Sequence, residues 1–127
     1  MATKPKKAAR RSRRGVGPTD VRKVALALPE AEEYRCYGTP GFRVKGKIFA
    51  RLHEDGESLV LKVPMVDRDL LLQAAPRLFF ITDHYRDYPY ILLRLSEATV
   101  PVLRERLAEA WRVAAPRRLL RQLVDQF

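Results

Sequence analysis

A chain of 127 residues with 46% hydrophobic content suffices for one domain, which would bury about 65 to 70% of its unfolded surface. No apolar run approaches the roughly 20 residues that cross a bilayer, and a single cysteine, Cys36, excludes an intramolecular disulfide framework, so a soluble cytoplasmic protein without a membrane span is expected. The formal net charge of +10 is unevenly held: residues 1–15 contain seven Lys or Arg and no acid, against 18 basic and 15 acidic residues in the rest.

The opening stretch MATKPKKAARRSRRG is too charged and too poor in apolar residues to fold alone, and it lacks the apolar segment of a secretory signal. Residues 1–16 are therefore expected to form a disordered basic arm and residues 17–127 a single domain. Such an arm attracts nucleic acid or an anionic membrane over long range; seven cations all placed on duplex phosphates would give a salt slope of about −6. A solubilising or processed extension is the alternative.

The first folded element opens at Pro18-Thr19, with Thr19 as candidate cap, Asp20 near the positive end of the helix dipole, and an apolar stripe of Val21, Val24, Ala25 and Leu28 that Pro29 ends. Glu30, Glu32 and Glu33 follow as a solvated edge able to neutralise nearby cations. A strand is expected over Tyr34–Tyr37, then a chain reversal at Gly38-Thr39-Pro40-Gly41. Phe42 and Val44 alternate with Arg43 and Lys45, so Arg43, Lys45 and Lys47 are expected in a row on one solvated face. Gly46-Lys47 either turns the chain or bends one long strand. Asp55-Gly56, between IFARL and LVLKV, is the strongest turn signal, and it sets Leu59, Leu61 and Val63 on one face with Ser58, Val60 and Lys62 on the other.

Gly41 to Ile48 nearly fits the phosphate-binding pattern GxxxxGK[ST], but Ile48 cannot supply the magnesium-binding hydroxyl and no strand-to-helix switch flanks it. Val66, Leu70 and Ala74 recur at helical spacing, predicting a short helix over about Val66–Ala75. Strands are expected at Leu78–Ile81 and Tyr90–Leu95. Between them Asp83, His84 and Asp87 match no well-defined ligand pattern, and His53 has no visible nucleophile or orienting group, so no catalytic residue, metal or cofactor is assigned.

The last third reads as helix. Val100, Leu103, Leu107, Ala110, Trp111 and Ala114 form one stripe with Glu97 or Thr99 as cap, and Trp111 is expected to anchor the core. Pro116 can open a second helix with Leu119, Leu120, Leu123, Val124 and Phe127 on its apolar face and Arg117, Arg118 and Arg121 on the other, Arg112 lying just upstream. A basic amphipathic helix can also lie on a membrane.

The order helix, strand, GTPGFRVKGKIFA, LHEDG, LVLKVP, a short helix ending in AAP, and EAWRVAAPRRLL resembles the MmcQ/YjbR family of small DNA-binding-like proteins over about Pro18–Leu123. The most specific stretches are Leu28-Pro29-Glu30-Ala31, Gly38-Thr39-Pro40 leading to Phe42-Arg43-Val44 and Gly46-Lys47, and Glu109-Ala110-Trp111-Arg112 leading to Ala115-Pro116-Arg117-Arg118-Leu119. Cys36-Tyr37-Gly38 stands where the family often has Trp-Gly, and Tyr88-Pro89-Tyr90 near its usual Gly-Trp. The resemblance implies an α+β domain with an antiparallel sheet backed by helices, similar to frataxin and described as a double wing. Its DNA-binding label rests on fold and charge. The likeness to frataxin would make Asp20, Glu30, Glu32 and Glu33 an iron-contacting ridge, against which stand the basic arm and the interleaved Arg22, Lys23 and Arg35.

The expectation is a non-enzymatic DNA-binding protein that contacts phosphates through its arm and through Arg43, Lys45, Lys47, Arg112, Arg117, Arg118 and Arg121, with little sequence preference. The alternatives are a structural or protein-interaction adaptor and, behind it, a metal-binding frataxin-like protein. An enzyme would need Glu30, Glu33, His53, Asp83 or His84 to converge in a cleft.

Overall fold

The computed structural model describes residues 15–126, with side chains to Arg121. The arm to residue 14, Phe127, and the side chains of Leu123 and Val124 lie outside the described residues. Helix α1 spans Pro18–Leu26 and buries Val21 and Ala25. Its cap is Asp20, not Thr19: the carboxylate accepts the Gly17 N–H at 2.9 Å. Ahead of it, Gly15 and Val16 donate to the carbonyls of Ala98 and Leu95 at 2.6 and 2.8 Å, and Val16 is buried.

Four strands then run as successive hairpins: β1 Ala31–Cys36, β2 Thr39–Val44, β3 Lys47–Leu52 and β4 Ser58–Lys62. The first reversal is at Tyr37-Gly38, φ +53° and +83°, and the second at Lys45-Gly46, φ +50° and +80°. Two successive left-handed residues are what a two-residue hairpin turn of the right twist requires. The pairing Cys36↔Thr39 therefore puts Thr39, Pro40 and Gly41 inside β2, where the sequence suggested a connection. Pro40 is tolerated because the β2–β3 pairing starts only at Gly41. The third connection is set by Asp55, whose carboxylate accepts the Glu57 and Ser58 N–H groups at 2.8 and 3.0 Å. Leu59, Leu61 and Val63 enter the main core while Val60 joins a separate cluster on the other face, as the alternation predicts. A register shift between β2 and β3 at Phe42/Arg43 brings both Phe49 and Ala50 into the main core.

Helix α2 spans Met65–Ala74, close to its predicted bounds, but turned from the predicted face. Val66 and Leu70 are 73% and 61% exposed; Arg68 is buried and Leu71 and Leu72 are half-buried. Arg68 takes the inward position because its guanidinium donates to three carbonyls: those of Tyr85 and Tyr88 from Nη1, at 2.9 and 3.0 Å, and that of Arg86 from Nη2, at 2.9 Å.

Strands β5 Phe79–Phe80 and β6 Tyr90–Arg94 complete a six-stranded, wholly antiparallel sheet of order β1-β2-β3-β4-β6-β5. Helix α3, Val100–Ala114, is capped by Thr99 Oγ1, which accepts the Val102 N–H at 3.3 Å, and buries Leu103, Leu107, Ala110, Trp111 and Ala114. It lies with α1 across one face of the sheet, chiefly over β3 and β4. Helix α4, Arg117–Gln126, starts directly after Pro116 and buries Leu119. Among the described residues no α-helix covers the opposite sheet face. That face carries the small cluster of Val60, Tyr85 and Leu92 beneath the connection between β5 and β6. Among the described residues no helix is long and apolar enough to cross a membrane.

Candidate binding sites

The seven cations expected to meet phosphate are not equivalent. Arg43 leaves the open sheet face, where its Nε meets Glu32 at 3.2 Å and its guanidinium lies 4.6 Å over the Tyr34 ring. Lys45 sits in the β2–β3 turn, ion-paired with Glu30. Lys47 pairs with Val44, a core residue, and so leaves the helix side of the sheet, opposite to Arg43. The expected row of three is broken because the turn falls between its members. Arg112 meets Glu109 at 3.7 Å. Lys47, Arg117, Arg118 and Arg121 are exposed and have no ion-pair partner among the described residues.

One corner joins the two groups. The Trp111 indole N–H donates to the Pro29 carbonyl at 2.9 Å, tying the end of α3 to the start of β1. Next to it, the Glu30 carboxyl is held below the usual carboxylate range by the Lys45 hydrogen bond, against slight desolvation, and by the charges of Lys45 and Arg118. A hairpin turn and the first turn of α4 thus place cations around one carboxylate.

The acids of the frataxin-like ridge are engaged one by one. Asp20 caps α1, Glu32 meets Arg43, Glu30 meets Lys45, and Glu33 takes Arg22 through two 2.7 Å bonds. His53 Nδ1 lies 3.2 Å from Asp55, and His84 packs edge-on against Tyr85 at 4.7 Å. Among the described residues no three His, Cys, Asp or Glu side chains could hold a metal ion.

A second site was not foreseen. All five tyrosines of the chain, Tyr34, Tyr37, Tyr85, Tyr88 and Tyr90, line one cavity of about 420 Å³ on the open sheet face, with Arg51 among its walls. Ile48, Ala50 and Val60 give it apolar strand surface, and Cys36 and His84 complete it. Arg51 is 6% exposed, and its guanidinium is spent on Tyr85 Oη at 2.8 Å, Thr39 Oγ1 at 3.2 Å and Glu54 at 3.2 Å, with Tyr37 over it at 5.6 Å. The three bonds from Arg68 hold the segment that carries Tyr85 and Tyr88. Gly41, opposite Tyr34 on β2, leaves room for the Tyr34 ring: a Cβ there would fall 2.9 Å from Cys36 Cβ and 3.2 Å from Tyr34 Cε1. Burial, and then the neighbouring Cys36 thiol, push the Tyr34 phenol up to about 12. The sequence signal for this site was an arginine inside the strand run IFARL, a cation that needs buried acceptors.

A family model, YjbR, matches residues 26–113, from the last residue of α1 into the last turn of α3. The chain belongs to the YjbR family. The matched stretch contains the whole tyrosine cavity and leaves Arg117, Arg118 and Arg121 of this YjbR protein beyond it. The fold is similar to the crystal structure of Deinococcus radiodurans protein DR2400, which carries the domain DUF419: the TM-score is 0.67 over 84% of this chain and 87% of that one, at 22% identity. Uncharacterised proteins Rv2570 of Mycobacterium tuberculosis and Mb2600 of Mycobacterium bovis are each 40% identical over 50 residues, 39% of this chain. The match spans 39% of the length of these curated relatives.

Proposed function

We propose that this YjbR protein is a non-enzymatic DNA-binding module that holds phosphates at the corner between the β2–β3 turn and the start of α4, with the N-terminal arm adding sequence-independent attraction. The observation that carries the reading is that Lys47, Arg117, Arg118 and Arg121 are exposed with no ion-pair partner among the described residues, Arg118 lying near enough to the Lys45–Glu30 pair for its charge to act on Glu30. Free surface cations gain from phosphate because nothing must be broken first, whereas Arg43, Lys45 and Arg112 must exchange one ion pair for another. In this reading the β2–β3 hairpin is one wing of a double-wing arrangement, and the protein acts in the cytoplasm. The contact proposed is with phosphates alone, so sequence preference is expected to be weak. Titration of full-length and arm-deleted protein with duplex DNA at two salt concentrations tests it: affinity falls with added salt and with loss of the arm. An affinity indifferent to both would reject phosphate contact as the mechanism.

A protein-interaction adaptor is the second reading, favoured by the outward apolar face of α2. Leu70 and Val113 are exposed on the walls of a groove of about 260 Å³ that Leu61, Val63 and Ile91 also line, and Met65 and Val66 are exposed on the same helix as Leu70. Recovery of a stoichiometric partner after nuclease treatment, lost on Val66→Glu with Leu70→Glu, would favour it over DNA.

A further inference from the structure

We propose that the tyrosine-lined cavity on the open sheet face is a binding site for a flat, uncharged heteroaromatic ring of nucleobase size.

Three observations on the cavity converge on that class of ligand. The volume of about 420 Å³ falls in the range of small-ligand sites, and a lining of five phenol rings with the apolar Ile48, Ala50 and Val60, in which a guanidinium already covers one face each of Tyr34 and Tyr37, suits a flat aromatic ligand better than an aliphatic one. The charge of Arg51 is fixed in the wall, buried and braced by Tyr85, Thr39 and Glu54, so a cation of the kind that aromatic cages usually take is repelled. A phosphate or carboxylate fares no better, because Nη1 and Nη2 of Arg51 are already engaged by Thr39, the Leu52 carbonyl, Tyr85 and Glu54, and the Glu54 carboxylate beside them repels an anion. An uncharged ring meets neither obstacle.

Polar groups are placed for the edge of such a ring. Tyr90 is half-buried, 5.6 Å from Tyr85 ring to ring, and its hydroxyl has no hydrogen-bond partner among the described residues. The Tyr34 hydroxyl, which meets the Cys36 side chain, is a second polar group in the wall. Tyr37 and Tyr88, 84% and 55% exposed, stand at the mouth, where a ring would bury aromatic surface now left in water.

The experiment uses the full chain and two probes, adenosine and a short single-stranded oligonucleotide, read by titration calorimetry and by tyrosine ring resonances, with choline as the cationic control. Saturable binding of adenosine that shifts Tyr34, Tyr85 and Tyr90, and that weakens at least about fivefold in Tyr37→Ala with Tyr88→Ala, is the expected result. Both substitutions are at exposed positions, and Tyr90→Phe serves as an independent variant that keeps the ring and removes the hydroxyl. Binding seen only when the base is part of the strand also supports the site and makes a polymer its source. Absence of binding by both probes, choline binding in their place, or affinity unchanged by all these variants would overturn it. Because adenosine has no phosphate, its binding persists when Lys47, Arg117, Arg118 and Arg121 are replaced by alanine, so failure of the DNA reading and failure of this site are told apart.

Discussion

At Gly41 a single methyl group decides the shape of the tyrosine cavity. A Cβ there meets Cys36 Cβ at 2.9 Å, a side chain on the neighbouring backbone and unable to retreat, and Tyr34 Cε1 at 3.2 Å. Gly41→Ala is therefore expected to displace the Tyr34 ring and to lower unfolding stability by about 1–3 kcal/mol, the usual cost of overfilling a packed site; a denaturant midpoint and the Tyr34 ring shifts check it. Tyr34 itself reports on the site through its proton. An ordinary phenol ionises near 10.0, and burial moves this one to about 12. The unfolded chain then loses the proton first, so the contribution of Tyr34 to stability is intact below pH 10.0 and is lost as pH rises from there toward 12. Alkaline melts of the wild type and Tyr34→Phe, which has no proton to lose, should diverge in that window, and ultraviolet titration should show one late-ionising phenol fewer in the variant. None of this was legible in the sequence, where Gly41 read as part of a connection. What moved it into a strand is a left-handed Tyr37, φ +53°, a conformation that a tyrosine gives no reason to expect.

Among the elements, α2 shows most clearly where sequence reasoning stops. Its bounds were legible from local signals, Pro64 before it and Ala75-Pro76 after it, but the face it buries was not. Val66 and Leu70 stand four apart and read as a core stripe, whereas the inward position belongs to Arg68, whose acceptors lie 17 to 20 residues further along the chain. A cation on an inward face becomes intelligible only once the carbonyls of Tyr85, Arg86 and Tyr88 are placed opposite it. Removing it leaves those carbonyls without their donor, so Arg68→Met should cost on the order of 2–4 kcal/mol and free the segment between β5 and β6. Arg68→Lys should recover little, since an ammonium cannot reproduce the planar fork that reaches three carbonyls at once. Hydrogen exchange of the Tyr85–Tyr90 amides, set beside the global denaturant midpoint, separates local release from general weakening. The hairpins were legible for the opposite reason. Asp55-Gly56 carries its turn chemistry within a few residues, whereas Gly46-Lys47 leaves a turn and a bend both open until the pairing of β2 with β3 shows a turn, and the alternation through Leu59, Leu61 and Val63 fixes which face meets the helices.

Over the whole molecule, the register of β1 against β2 decides which cations remain free. Ala31↔Val44 and Glu32↔Arg43 set the acids of β1 beside the cations of β2, and this removes Arg43 and Lys45 from the uncommitted set. A charge count along the sequence could not foresee it, because the partners stand on different strands. The α+β class, the antiparallel sheet and the family were legible from stretches such as GTPGFRVKGKIFA and EAWRVAAPRRLL. The gathering of all five tyrosines was not, since β6 must first insert beside β4 to bring residues 85–90 over residues 34–37. The same folding brings the start of α4 to the β2–β3 turn, and on that meeting the proposed DNA contact depends. The most direct test is the slope of log affinity for duplex DNA against log salt concentration, measured on arm-deleted protein with and without Lys47, Arg117, Arg118 and Arg121 replaced together by alanine. Phosphate contact by all four predicts a slope shallower by about 3 to 4 in the variant; equal slopes in the two proteins would contradict it.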